Sequence, residues 1–282
     1  MKKILKNLAA AAILGLVFCT GVTSHASNGN VVLVLDPGHD VHDAGARRTW
    51  NGVTYAEETI TLKMAQYCKE ELEKYSGIVV YMTRFSNNVD MDRYDRVKVA
   101  KDLGADALVS LHINSTGNQQ DTVSGALAYV PISTNKADYA VEARALAADI
   151  VSNLSTVGMK NLGYLKGEGL GIIYYGMQWK IPTMIIEHGF VNNPSDCLKY
   201  YGSDAKIKAV AVADATAIAR HYGITKMRGW NQIGGEWIYL DKNGNKKTGW
   251  ITDAGKEYYL DEEGHKVSGF VKINDKKYYF NE

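Results

Sequence analysis

His39, Glu57, His112 and Glu187 are the residues whose types and placement could do chemistry together. Two neutral imidazoles and a carboxylate are a common ligand set for catalytic zinc, which keeps a fourth position open for water. The ion lowers the pKa of that water and polarises the carbonyl it attacks. A second carboxylate beside the metal can take the proton and hand it to a leaving amine. In that chemistry His39, Glu57 and His112 hold the ion and Glu187 is the base. Each residue also has a plainer account. His39 is a solvated turn residue, His112 a hydrogen-bonded core histidine, and Glu187 a strand-end partner for an arginine. Glu57 and its neighbour Glu58 sit where the positive end of a helix favours acids. What favours a shared site is where the surrounding elements put the four.

Val31 to Leu35 is an unbroken apolar run and reads as a buried strand. Pro37-Gly38 then turns the chain and delivers His39 between Asp36 and Asp40. A polar loop, Val41 to Ala56, follows. Ile60, Met64, Tyr67, Cys68 and Leu72 recur at three and four residues, which predicts a helix opened by Glu57. Ile78 to Met82 is a second strand, and residues 93–103 a second helix closed by Gly104. Residues 107–111 are a third strand, ending at His112 and Asn114. Residues 126–130 and 183–186 are further strands, the latter ending at Glu187. Residues 137–154 and 204–221 are helical, and the glycine-rich passage 163–176 reads as a loop with a short strand. The alternation predicts an α/β fold, a twisted, mostly parallel sheet with helices on both faces. His39, His112 and Glu187 then share the carboxyl edge of the sheet, where such folds bind ligands. Glu57 can point back at that edge.

The chain has 282 residues, 46% of them hydrophobic, enough for one or two cored domains. A net charge of +1 gives no electrostatic footprint for nucleic acid. Residues 1–26 read as a secretory signal peptide: Lys2, Lys3 and Lys6, an apolar stretch from Leu8 to Phe18, then small residues at Ser24-His25-Ala26. The stretch is too short to span a bilayer comfortably, so no membrane span is expected after cleavage. Cleavage removes three lysines and no acid, taking the formal charge from +1 to −2. Cys68 reads as a small buried hydrophobe and Cys197 as a turn residue, and no bridge between them is expected.

The catalytic candidate spans 27–224, and the chain changes character over 225–282. Gly229-Trp230, Gly249-Trp250 and Gly269-Phe270 recur every 20 residues, with turns at Asn243-Gly244 and Glu263-Gly264. This is a small all-β array of hairpin repeats in which aromatics replace a globular core. In such an array Trp230, Trp237, Tyr239, Trp250, Tyr258 and Tyr259 stack on one another.

The segments VLVLDPGHDVHDAGA (32–46), EETITL (57–62), Thr83-Arg84, Arg96, SLHIN (110–114) and PTMIIEHGFVNN (182–193) resemble, in order and spacing, the zinc-dependent N-acetylmuramoyl-L-alanine amidases. The resemblance covers residues 31–222. It implies a secreted, cell-wall-associated hydrolase with one zinc ion, cutting peptidoglycan between the lactyl group of N-acetylmuramic acid and L-alanine. It implies His39, Glu57 (with Glu58 as the alternative) and His112 as zinc ligands and Glu187 as the acid/base. Asp40-Val41 stands where the family often has two glycines, and His188 where a small or hydroxyl residue is frequent. The tail resembles choline-binding-type cell-wall repeats, which implies a choline-bearing or other wall polymer as partner and a cage for a quaternary ammonium built from those aromatics, the alternative being that they only stack. Two rival readings follow from the same residues: a wall-binding module with an inactive site, and a cut inside the stem peptide.

Overall fold

The structure is a computed structural model that describes residues 29–134 and 136–281. The signal peptide expected at 1–26 lies outside those residues. The described chain forms two units, one of residues up to Gly223 and one of Ile224 onward together with Lys74–Ser76.

The first unit is built on a six-stranded sheet in the order β4-β1-β5-β8-β6-β7. The strands are β1 (Val31–Pro37), β4 (Ile78–Met82), β5 (Ala107–Asn114), β6 (Ala126–Val130), β7 (Asn161–Lys166) and β8 (Thr183–Phe190). The polar loop after β1 contains a hairpin, β2 (Arg47–Trp50) and β3 (Val53–Ala56). β1 pairs parallel with β4 and β5, and β5 parallel with β8. These central strands are covered on both faces, so they read as continuous apolar runs rather than alternating ones. The mostly parallel expectation holds with one correction: β6 runs antiparallel to β8. β6 lies between β8 and β7, and the direction of so short a strand depends on its connections, which its five residues do not encode.

The helices are α1 (Glu57–Leu72), α2 (Arg93–Asp102), α3 (Asp138–Asn153), α4 (Gly171–Trp179), the short α5 (Pro194–Asp196) and α6 (Asp204–His221). α2 and α4 pack on the sheet through a buried cluster that includes Val34, Val97, Leu108, Ile173 and Ile185. α1 and α3 cover the other face, with α6 packed against both. α4 corrects the loop expected over 163–176. Its glycines are packing residues: a Cβ at Gly176 would stand 2.2 Å from Thr183 Oγ1. β5 and β8 also run past their expected ends, so His112 and Glu187 lie within strands. Cys68 and Cys197 are both buried and unbridged. Cys197, read as a turn residue, is packed in the core, and its Sγ donates to the Val191 carbonyl. No helix among the described residues is long and apolar enough to cross a membrane.

The second unit is three antiparallel hairpins: β9 (Gly229–Ile233) with β10 (Glu236–Leu240), β11 (Gly249–Asp253) with β12 (Lys256–Leu260), and β13 (Gly269–Ile273) with β14 (Lys276–Phe280). Their registers repeat, pairing Trp230 with Tyr239, Trp250 with Tyr259 and Phe270 with Tyr279. Ile238, Leu240 and Leu260 supply a thin apolar line.

Candidate active site

His39 leaves β1 in a left-handed backbone conformation, φ 66°. Such a conformation is unfavourable for a residue with a Cβ and persists only where the surroundings impose it. Here two buried arginines do so. Arg84 donates to the carbonyls of Pro37 and Gly38, and Arg96 to those of Pro37 and His39. Arg96 also bonds Asp36 and Asp40, both at 2.9 Å. Asp36 takes further bonds from Thr83 and Ser110, so β1, β4 and β5 are tied together behind the turn. Asp40, in a position where the family often has glycine, accepts from the backbone N–H of His42, Asp43 and Met91. It organises the loop by side-chain bonding rather than by glycine freedom. Burial would raise its carboxyl; those bonds, then Arg96, hold it below the usual range.

Glu57 is the first residue of α1 and is buried. Its Oε2 accepts from Ala46 N at 2.8 Å and its Oε1 from Ile113 N at 2.9 Å. Oε1 also faces His112 Nδ1 at 3.0 Å and His39 Nε2 at 3.2 Å. Glu58 points elsewhere, pairing with Arg47. His42 is exposed and lies outside this group. Space around the cluster is closed by glycines that residue-type reasoning passed over. A Cβ at Gly38 would stand 2.4 Å from His112 Cε1, and one at Gly45 2.5 Å from His39 Cδ2.

The donor set fits a metal ion. One ligand atom from each of His39, Glu57 and His112 lies within 4.8 Å of the others. Tetrahedral zinc ligands at about 2.0–2.1 Å from a common centre stand about 3.3 Å apart. The 3.0 and 3.2 Å separations at Glu57 Oε1 are of that size. Burial would raise the Glu57 carboxyl, but hydrogen bonds to His112 and His39, and their charge, hold it well below the usual carboxylate range. Burial would lower His39; Glu57 and then Asp43 outweigh it and raise it. A metal binding here would displace that proton, since only neutral imidazole ligates.

Glu187 lies opposite His112 in the parallel β5–β8 register. It lines the same cavity, of about 550 Å³, as His39, Glu57 and His112. Its enclosure pushes the carboxyl up to about 7; the charge of His112 opposes this and that of Glu57 adds to it. Its Oε2 has no hydrogen-bond partner among the described residues. The plainer account of Glu187 as an arginine's partner is therefore not what the geometry holds. His188, next in sequence, points to the other face of the strand and is fully buried.

In the second unit the rings of Trp230, Tyr239 and Tyr258 meet, with centroids 4.8–5.2 Å apart around Trp230. Trp250 meets Tyr259, Tyr278 and Phe280 at 5.0–5.5 Å. Trp237 joins neither group, while Tyr278 and Phe280, which the sequence reading passed over, complete the second.

Residues 33–220 match the family model described as N-acetylmuramoyl-L-alanine amidase. Residues 227–268 match a choline-binding repeat and 268–282 a cell wall binding repeat. The N-acetylmuramoyl-L-alanine amidase LytC of Bacillus subtilis is 27% identical over 191 residues, which is 68% of this chain and 34% of LytC. The chain thus spans about a third of the length of that relative. CwlM of Bacillus licheniformis, also an N-acetylmuramoyl-L-alanine amidase by name, is 26% identical over 201 residues and 70% of each chain. Among solved structures, the N-acetylmuramoyl-L-alanine amidase from Clostridium difficile superposes with a TM-score of 0.61 at 22% identity, covering 69% of this chain and 98% of the other. The catalytic domain of CwlV, the amidase from Bacillus (Paenibacillus) polymyxa, gives 0.55 at 25% identity, covering 69% and 99%.

Proposed function

Since the chain belongs to the N-acetylmuramoyl-L-alanine amidase family, we propose that it is a secreted, wall-associated zinc hydrolase. Its substrate is the amide joining the lactyl group of N-acetylmuramic acid to L-alanine of the stem peptide. Residues 1–26 direct export, residues 27–224 carry the chemistry and residues 225–282 bind a wall polymer.

One observation carries the reading: Glu187, with a free buried oxygen, opens into the same cavity as the His39–Glu57–His112 cluster. His39, Glu57 and His112 would hold the ion. When bound, zinc supplies Lewis acidity there, making water a nucleophile near neutral pH and polarising a carbonyl. The backbone N–H groups of Ala46 and Ile113 fix the Glu57 carboxylate, and the Arg84–Arg96 clamp fixes the His39 turn. Glu187 takes the proton of the attacking water. It then delivers that proton to the alanine nitrogen as the amide breaks, so the peptide leaves as an amine. In the tail, the Trp230 and Trp250 ring groups would receive a quaternary ammonium by cation–π attraction.

Glu187→Gln tests the assignment. The variant should bind zinc as the native chain does and release no L-alanine amino termini from purified walls. Wall digestion at the native rate by that variant would remove Glu187 from the mechanism. Mass spectrometry of the native digest fixes the bond: a cut inside the stem peptide would overturn the amidase reading.

A further inference from the structure

The cavity at Glu187 opens into a second groove, of about 650 Å³, that runs past Tyr94 and Tyr174. Asp92, Arg93, Leu170 and Gly171 line both. Arg93 stands at this junction. It is the first residue of α2, where the positive end of a helix disfavours a cation. Its methylene stem lies across Gly171, where a Cβ would stand 2.6 Å from Arg93 Cδ. Its guanidinium has no hydrogen-bond or ion-pair partner among the described residues. The other arginine lining the cavity, Arg96, is neutralised by Asp36 and Asp40. Elsewhere the mouth is acidic, with Asp43, Asp90 and Asp92 around it. Outside the metal cluster, Arg93 is therefore the residue of this lining that offers an anion an unpaired positive charge.

The two arms of the proposed substrate differ in just this respect. The glycan offers hydroxyls and acetamides, while the stem peptide carries free carboxylates. A guanidinium fork matches a carboxylate bidentately. Resting on the amidase reading, we infer that Arg93 binds a free carboxylate of the stem peptide and so lays the peptide along the Tyr94–Tyr174 groove. The exposed rings of Tyr94 and Tyr174 then flank the peptide's aliphatic parts. Arg93 acts on substrate choice, and the bond-breaking groups remain those named above.

The test compares two probes on the zinc-loaded full chain: L-Ala-γ-D-Glu-L-lysinamide, whose one free carboxylate is the glutamate α-carboxylate, and L-Ala-γ-D-isoglutaminyl-L-lysinamide, in which that group is an amide and no carboxylate remains. Calorimetry gives Kd for each, and hydrolysis of muramyl peptides bearing the same two groups gives kcat/KM. The native chain should favour the carboxylate by about tenfold on both measures, as one charge-assisted pair allows. R93A should bring the two substrates to near parity, with the change in KM rather than kcat. R93K should restore part of the preference, because it keeps the charge and loses the fork. Absence of preference in the native chain, or its survival in R93A, overturns the inference. If the native chain hydrolyses neither muramyl peptide, the amidase reading fails, and the calorimetric comparison still decides whether Arg93 selects a carboxylate.

Discussion

His188 Nε2 and Asp214 Oδ2 meet at 2.9 Å with neither side chain exposed to solvent. The other ring nitrogen of His188 faces the carbonyl of His112 at 3.1 Å. Both nitrogens thus face acceptors, which only an imidazolium satisfies. Burial would lower the His188 pKa, and the Asp214 charge and hydrogen bond raise it. The pair ties α6 to β8, the strand that presents Glu187, and through the His112 carbonyl to β5.

Removing one partner of such a pair strands a charge in the core. Asp214→Ala should destabilise the chain by about 3–5 kcal/mol. Denaturant unfolding checks this. A change under about 1 kcal/mol would mean His188 simply loses its proton when Asp214 is gone.

Gly38 offers a test that separates the metal site from the fold. Its added Cβ would stand within 2.4–2.7 Å of three atoms of the His112 ring. Gly38→Ala should therefore push the ring out of the cluster and lower zinc affinity by about 10–100-fold, the scale seen when a ligand's support is lost. Circular dichroism should be unchanged, since the ring lies at an open cavity. Stoichiometric zinc at native affinity in that variant would show that the turn can yield.

The parts of this fold that could be read from sequence are those encoded locally. Continuous apolar runs marked β1, β5 and β8, and helical spacing marked α1 and α6. α4 was hidden because Gly171 and Gly176 look like loop residues, whereas they admit Arg93 and Thr183. Of the candidate ligands, His39 and Glu57 stand at element ends and His112 near the end of β5, and all three could be named. What shapes them could not: Arg84 and Arg96 reach Gly38 and His39 across 46 and 57 residues of chain. Gly45 matters only because His39 and Glu57 close on it. Such contacts exist once the sheet has formed and leave no periodic trace.

His221 should make stability depend on alkaline pH. Its two ring nitrogens bond Asp149 and Glu142, each at 2.8 Å. Burial would lower its pKa, and these two partners raise it to about 9 from an ordinary 6.5. A raised pKa means the stabilisation is complete below about pH 6.5 and is lost as pH climbs through about 9. Its size is on the order of 1–2 kcal/mol after allowing for the partly exposed carboxylates. Denaturation midpoints measured from pH 6 to 10 should fall in the native chain. His221→Gln should flatten that decline, and an unchanged slope would assign it to other groups.

The hairpin array should divide its aromatics into two classes. Trp230 touches Tyr239 of its own hairpin and Tyr258 of the next. Asp253 also bonds both Trp230 Nε1 and Tyr239 Oη. A ring shared in this way can serve a cation held between repeats, while Trp237 stands apart from both ring groups. If a quaternary ammonium is the ligand, Trp230→Ala should weaken retention on choline-bearing wall by about tenfold or more. Trp237→Ala should retain the native affinity. Soluble choline should release the native chain and have no effect on residual binding of Trp230→Ala. Equal losses in the two variants would point to a ligand that contacts the outer face of the array, and wall binding unaffected by choline would leave the ring groups with stacking as their whole role.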